Sequence, residues 1–174
     1  VSSITNDAPT AYSVGETTVT WTVTDSSGNT ATDTQLVTVT DDTLPTIEAP
    51  IDVSVSTNDG CTATSVTLGD STTADNCSVS SVTNDAPTAY NVGDTTVTWT
   101  VTDASGNTAT ATQTVTVTDD TLPTIEAPSN VSVTTNDGCT ATGVSLGDST
   151  TADNCTVSSV TNDAPTAYNV GDTT

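Results

Sequence analysis

The sequence predicts an all-β protein built as tandem β-sandwich modules of 78 residues, and three observations carry that prediction. Val, Thr and Ile alternate in runs with the two-residue period of a strand buried on one face. Clusters of Asn, Asp, Gly and Pro interrupt these runs at short intervals, where the backbone has to turn. The whole pattern then returns 78 residues on, taking Trp21 to Trp99, Cys61 to Cys139, Cys77 to Cys155, and Tyr12 to Tyr90 and Tyr168.

The period divides the chain. Residues 1–41 read as the C-terminal part of one repeat, 42–119 as a complete repeat, and 120–174 as the N-terminal part of a third. Residues 157–174 restate 1–18 almost letter for letter, so the sequence reads as a window on a longer array. Val1 does not open a signal peptide, and no apolar run approaches the length of a membrane span.

Taken in order, the complete repeat begins with a joint. Val39–Pro50 ends one β-patterned run, continues through the adjacent carboxylates Asp41 and Asp42, and reaches Pro45 and Pro50, which donate no ladder hydrogen bond. Strands are expected over 53–57, 63–68 and 78–83, separated by Asn58-Asp59-Gly60, by 69–76 and by 84–94. Residues 95–103 form a half-buried strand with Val97, Trp99 and Val101 on one face and Thr98, Thr100 and Thr102 on the other. Asp103-Ala104-Ser105-Gly106-Asn107 turns the chain into 108–118, whose Ala109, Ala111, Val115 and Val117 share a face, making a hairpin. Short antiparallel strands at this spacing argue a sandwich.

Composition restricts the function. There are 22 acidic residues and no Lys, Arg or His, for a net charge of -22. Such a chain cannot neutralise phosphates, which excludes nucleic acid as a partner, and an anionic membrane surface is equally unsuited. Without one side-chain salt bridge, its self-repulsion has to be relieved by solvent, salt or bound cations, so a soluble divalent metal is the natural partner. Catalysis is hard to assemble from this alphabet; only a paired-carboxylate glycosidase is conceivable, and near-identical copies of a small module rarely each build a cleft. We expect no enzyme.

At this point the residues resemble a known family. The joint 42–50, the triplet Asp75-Asn76-Cys77, the run from Tyr90 to Asp103, and Asp103-Ala-Ser-Gly-Asn107 followed by Val115-Thr-Val-Thr-Asp119 look like a hyalin repeat across the whole unit. The resemblance implies an immunoglobulin-like sandwich and an extracellular or cell-surface location in an adhesive, multidomain protein. Many members carry a second cysteine pair at positions matching Ala49 and Ala111, and that staple is absent here.

Four cysteines, Cys61, Cys77, Cys139 and Cys155, with no His and no Cys-x-x-Cys, favour disulfides over zinc and an oxidising compartment. The simplest and favoured pairing is local, Cys61 with Cys77 and Cys139 with Cys155. Strand parity argues the other way, since it sets Cys61 near one pole of the module and Cys77 near the other. The alternative is Cys61 with Cys155, across the joint.

The same parity gathers the loop 69–76 and the turn 103–107 at the pole where the preceding joint enters. Asp75, Asp103 and the pair Asp41–Asp42 then converge at one joint, and Asp119, Asp120 and Asp153 at the next, as ligands for calcium. The bland alternative is a solvated acidic surface. Asp59 and Asp137 in Asn-Asp-Gly, and Asp85 and Asp163 before Ala-Pro, read as turn formers.

Two functions follow. One is an extended, calcium-rigidified stalk, fibre or filament whose partners are neighbouring repeats of the chain and identical chains, each repeat adding about 40 Å if its last strand spans the module. The other is an adhesin binding a glycan or protein through its loops. Only 6 of 56 positions differ between 41–96 and 119–174, and none is a proposed ligand, which favours the first.

Overall fold

Every regular element among the described residues, 1–171 of the computed structural model, is a strand, as expected of a chain dominated by β-branched Thr and Val. In chain order these are β1 (Ser3–Asn6), β2 (Gly15–Thr24), β3 (Thr30–Val39), β4 (Thr46–Glu48), β5 (Val53–Ser56), β6 (Thr62–Thr64), β7 (Thr72–Ala74) and β8 (Val79–Asn84). They continue as β9 (Ala89–Asn91), β10 (Gly93–Asp103), β11 (Thr108–Thr118), β12 (Thr124–Glu126), β13 (Thr140–Thr142), β14 (Thr150–Ala152) and β15 (Ala167–Asn169). Positions 172–174, assigned above to the third repeat, lie outside the described residues.

The chain forms two compact units. The first comprises Val1–Ile51, Leu68–Ala86 and Thr96–Gln113; the second comprises Asp52–Thr67, Pro87–Thr95 and Thr114–Thr174. Strands β10 and β11 run through both and lie at the centre of a sheet ordered β5-β11-β10-β8.

In the first unit β1, β2 and β3 make an antiparallel meander, with Val19 of β2 buried. Its hairpin turn is held by Asp25, which accepts from the backbone N–H groups of Ser27 and Asn29 and from the Asn29 amide. These bonds hold the Asp25 carboxyl below its usual range, the Asn29 side chain contributing most. β4 pairs with β7, Thr46 opposite Ala74, with Pro45 buried beside it. On β10 the expected alternation appears as Val97, Trp99 and Val101 buried with the intervening Thr side chains half-buried. Each such Val is worth roughly 1.5–3 kcal/mol relative to exposure.

Gln113 lies on the buried face of β11 and is only 1 % exposed. Its burial is tolerated because its amide is fully engaged: Trp99 Nε1 donates to Gln113 Oε1 at 3.2 Å, and Gln113 Nε2 donates to the carbonyls of Ile51 at 2.6 Å and Leu68 at 2.9 Å.

In the second unit β5 pairs with β11, Val53 opposite Val115 and Val55 opposite Val117, and this pairing is parallel. Sequence patterning had suggested antiparallel strands throughout. The difference arises because Pro50 divides the first edge into two short runs: β4 pairs antiparallel with β7, and β5 then pairs with β11 instead. β6 pairs with β9, setting buried Ala63 opposite buried Tyr90. The pairs β12–β14 and β13–β15 repeat β4–β7 and β6–β9 one period later.

Four expected segments change. The strand expected over 63–68 ends at Thr64, because Ser65 adopts φ 57°, a conformation that breaks a ladder. The third repeat has Gly143 at that place, with φ 64°. The stretches 69–76 and 84–94, expected as loops, contain β7 and β9, and the joint 39–50 contains β4. These runs of three residues are too short to show a period in the sequence.

Candidate cation site and the stapled joint

The first unit assembles three carboxylates. Asp103 ends β10 where the pairing with β8 shifts register, a bulge that re-aims the side chain. It is 2 % exposed. Its Oδ1 accepts from the backbone N–H groups of Ser105 at 2.9 Å and Asn107 at 2.7 Å, and its Oδ2 from the Asn107 amide at 2.7 Å. Gly106, at φ 93°, closes this turn. The Asn107 amide nitrogen also lies 3.1 Å from the carbonyl of Asp41 and 3.3 Å from that of Thr43, tying the turn to the joint.

Asp41 follows β3. Its Oδ1 accepts from Thr43 N–H and from the Asn76 amide, both at 3.2 Å, and its Oδ2 from the Ser105 hydroxyl at 3.4 Å. The Thr43 bond, with help from Asn76, Cys77 and Ser105, holds the Asp41 carboxyl below its usual range despite partial desolvation. Asp75 follows β7, and its Oδ2 accepts from the backbone N–H groups of Cys77 and Ser78. Its Oδ1 is buried without a hydrogen-bond partner.

Ligand oxygens of Asp41, Asp75 and Asp103 all lie within 4.8 Å of one another. Three carboxylates at this separation repel, and the sequence supplies no side-chain cation to offset them. The arrangement is a possible metal site. Asp42, expected beside Asp41, is exposed and outside this group. The positioning residues Asn76, Ser105 and Asn107 were not singled out from sequence, although all three lie in motifs that were.

The second joint differs. Asp119 Oδ1 accepts from Thr121 N–H, as Asp41 does from Thr43, and Asp120 accepts from the Ser56 hydroxyl at 2.8 Å. Asp153 Oδ2 accepts from Cys155 N–H at 3.2 Å. Asp153 Oδ1 and Asn154 Oδ1 are both buried without partners. Asp119, Asp120 and Asp153 do not form a three-carboxylate group among the described residues. The counterpart of Asp103 would be residue 181, past the 174 of this sequence.

What holds the second joint is covalent. Cys61 bonds Cys155, with Cα atoms 4.7 Å apart and a sequence separation of 94. Beside the bond, the Asn154 amide donates to Thr57 Oγ1 at 3.0 Å and to the Gly60 carbonyl at 3.2 Å. The favoured local pairing, Cys61 with Cys77 and Cys139 with Cys155, is therefore overturned, and the cross-joint alternative is observed. The reason is the one strand parity offered: Cys61 and Cys77 belong to different compact units, whereas Cys61 and Cys155 share one. Cys77 and Cys139 are free and exposed. The Cys77 thiol pKa is pushed up, first by partial desolvation, then by its hydrogen bond to Asp41 and the negative charges of Asp41, Asp75 and Asp103.

Comparison with known families agrees with this architecture. Residues 40–117 match the HYR domain, a stretch that overlaps most of the repeat read at 42–119. It is an immunoglobulin-like, non-catalytic domain typical of extracellular adhesion and repeat proteins, and the disulfide is consistent with that setting. No curated protein matches the chain.

Proposed function

We propose, with the HYR domain of residues 40–117 as premise, that the chain is part of an extracellular structural array whose joints are rigidified by calcium and crossed by disulfides. One observation carries the calcium reading: the buried Asp75 Oδ1 has no hydrogen-bond partner and belongs to the same group as Asp41 and Asp103. A buried carboxylate oxygen with no donor costs free energy that a cation recovers. Calcium suits the site because it takes six to eight oxygens in irregular geometry, which carboxylates, the Ser105 hydroxyl, joint carbonyls and water can supply. At the second joint, Asp119, Asp120 and Asp153 are proposed as a weaker site, with the unpartnered Asp153 Oδ1 and Asn154 Oδ1 as its acceptors.

The array reading, a stalk, fibre or filament, is supported by near-identity of the loops between repeats, since loops selected for a ligand would diverge. Glycan or protein adhesion through those loops is the second reading, favoured by the family's usual setting.

Calorimetric titration and thermal melts with calcium test the site. Extracellular modules bind at roughly 10⁻⁴ to 10⁻³ M. At one hundred times the dissociation constant, bound calcium adds about 2.7 kcal/mol of stability. Asp75→Asn is expected to abolish the heat and the shift at the first joint. A melting curve unmoved by calcium overturns the reading.

A further inference from the structure

Three triplets in the chain fit the acceptor pattern for an N-linked glycan, Asn-x-Ser/Thr with x other than Pro: Asn76-Cys77-Ser78, Asn130-Val131-Ser132 and Asn154-Cys155-Thr156. The sugar attaches to the side-chain nitrogen and is bulky, so a usable acceptor has its Nδ2 uncommitted and facing solvent. The structure separates the three on this point. Asn154 Nδ2 donates to Thr57 Oγ1 at 3.0 Å and to the Gly60 carbonyl at 3.2 Å, which uses both amide hydrogens, and the middle residue of its triplet is bonded to Cys61. A glycan there removes one hydrogen and sets a sugar against Thr57 and Gly60, so the joint closes only on unmodified Asn154. Asn76 is exposed, but its Nδ2 donates to Asp41 Oδ1 at 3.2 Å and lies 3.6 Å from the Cys77 sulfur. A sugar on that nitrogen would disturb the carboxylate group.

Asn130 differs. It is exposed, and its side chain makes no hydrogen bond among the described residues. The intact repeat shows the setting of this position one period earlier, where Asp52 stands in Asp52-Val53-Ser54. Asp52 is exposed just before β5; its Oδ1 accepts from the Thr114 N–H at 2.7 Å, and its Oδ2 makes no hydrogen bond among the described residues. An Asn fits this position with Oδ1 in the accepting role and Nδ2 in place of the unbonded oxygen. The glycan-bearing atom is therefore presented to solvent within a complete repeat, whatever lies beside residue 130. Among the 6 positions that differ between 41–96 and 119–174, the change from Asp52 to Asn130 alone turns Asp-Val-Ser into Asn-Val-Ser.

We propose that Asn130 is the acceptor for an N-linked glycan, and that the two Asn-Cys-Ser/Thr triplets stay unmodified in the folded chain. The donor is an oligosaccharide carried on a lipid diphosphate. A bond forms between Nδ2 and the anomeric carbon, the bond from that carbon to the diphosphate oxygen breaks, the lipid diphosphate leaves, and one Nδ2 proton passes to base. No electrons are exchanged. An extracellular setting, typical of the HYR domain, is the one premise shared with the function proposed above; the cation site plays no part. The sugar then marks the repeat that begins at 120 and not the one at 42–119, placing neutral, solvated bulk where the other repeat carries a carboxylate.

The test secretes the 174-residue chain, behind a cleavable signal, from a eukaryotic host that N-glycosylates. The host supplies the compartment, so the outcome reports on the acceptor and not on where the chain resides. Intact mass counts the sugars, and Asp-directed digestion followed by enzymatic deglycosylation in heavy-oxygen water places them. The expected result is one glycan, on peptide 120–136, lost in Asn130→Gln and equally in Ser132→Ala, with the Cys61–Cys155 bond intact in both. Asp52→Asn is expected to add a second glycan, on peptide 42–58, because the intact repeat presents the same atom. A chain left bare by a host that modifies a control acceptor protein overturns the proposal, as does sugar on Asn154 in chains whose Cys61–Cys155 bond has formed. A modified Asn130 with no gain in Asp52→Asn overturns the geometry read from the intact repeat.

Discussion

Replacing Cys61 and Cys155 together with Ser removes the staple at the second joint, and the loss depends on which loop the bond closes. A bond spanning 94 residues restricts the unfolded chain by about 4.7 kcal/mol on the loop-entropy relation, against about 3 kcal/mol for a local loop of roughly 15 residues. The Cys61→Ser/Cys155→Ser chain should therefore lose about 4–5 kcal/mol, and the loss should concentrate in the second unit. Both Trp21 and Trp99 belong to the first unit, so tryptophan emission is a poor probe of this loss. Hydrogen exchange is the suitable assay, with amides of β5, β12, β13, β14 and β15 expected to lose protection while those of β1–β3 keep theirs. The pairing itself is open to direct mapping. The chain contains no Lys or Arg for trypsin, but an Asp-directed protease isolates the cysteines on separate peptides, 59–69, 75–84, 137–147 and 153–162. Peptide 59–69 linked to 153–162 is the expected product. Peptide 59–69 linked to 75–84, or an exchange pattern unchanged by the double substitution, refutes the reasoning.

Three further outcomes follow from single residues. Ser65→Gly should stabilise the chain by up to about 1 kcal/mol in urea unfolding, since relief of a left-handed Ser at roughly 1–2 kcal/mol exceeds the entropy glycine adds to the unfolded chain. Gln113→Leu keeps the volume but strands the Ile51 and Leu68 carbonyls and the Trp99 N–H, and should cost about 3 kcal/mol or more by the same measurement. The Asp25 carboxyl, with its pKa lowered by folding, contributes stability that is complete above the ordinary value of 3.8 and is lost as the pH falls through its lower folded value. Proton titration by NMR should find its midpoint below 3.8, and Asp25→Ala should remove the corresponding acid-side loss in the β2–β3 hairpin.

The repeat period and the two long strands were legible because they are periodic: alternation in β10 holds across Val97, Trp99 and Val101 with no competing signal. Gln113, on the same face of β11 as Val115 and Val117, was not singled out from sequence, because a polar side chain gives no sign of burial until its three hydrogen bonds are seen. β4, β7 and β9 were illegible for a different reason: three residues hold less than two periods, so tertiary pairing alone decides that they are strands. The acids Asp41, Asp75 and Asp103 could be grouped from strand parity. Asp42 could not be separated from Asp41, because adjacent carboxylates on a joint differ only in the backbone they leave from. The disulfide was the instructive failure. Proximity in sequence favoured Cys61 with Cys77, and parity opposed it; parity carries information about three-dimensional position, which sequence distance in a β-protein does not.

The division into compact units bears on what the joint is. Residues 39–50 fall wholly within the first unit and 117–128 wholly within the second, while the boundaries at 51/52, 67/68, 86/87, 95/96 and 113/114 all cut the complete repeat. A joint of this kind is not a linker, since a linker is where contacts are sparse. Its proline Pro45 is buried, its β4 is paired, and its Asp41 is bonded to Asn76 and Ser105. Each joint is therefore packed inside a compact unit, and β10 and β11 run through both units. Perturbing either joint, by removing a carboxylate or a cysteine, is then expected to loosen the compact unit that holds it and so parts of two neighbouring repeats together, and a core substitution at Val97 should likewise be felt through the first unit and one at Val115 through the second. Exchange protection that breaks at residue 119 instead of inside 42–119 would contradict this.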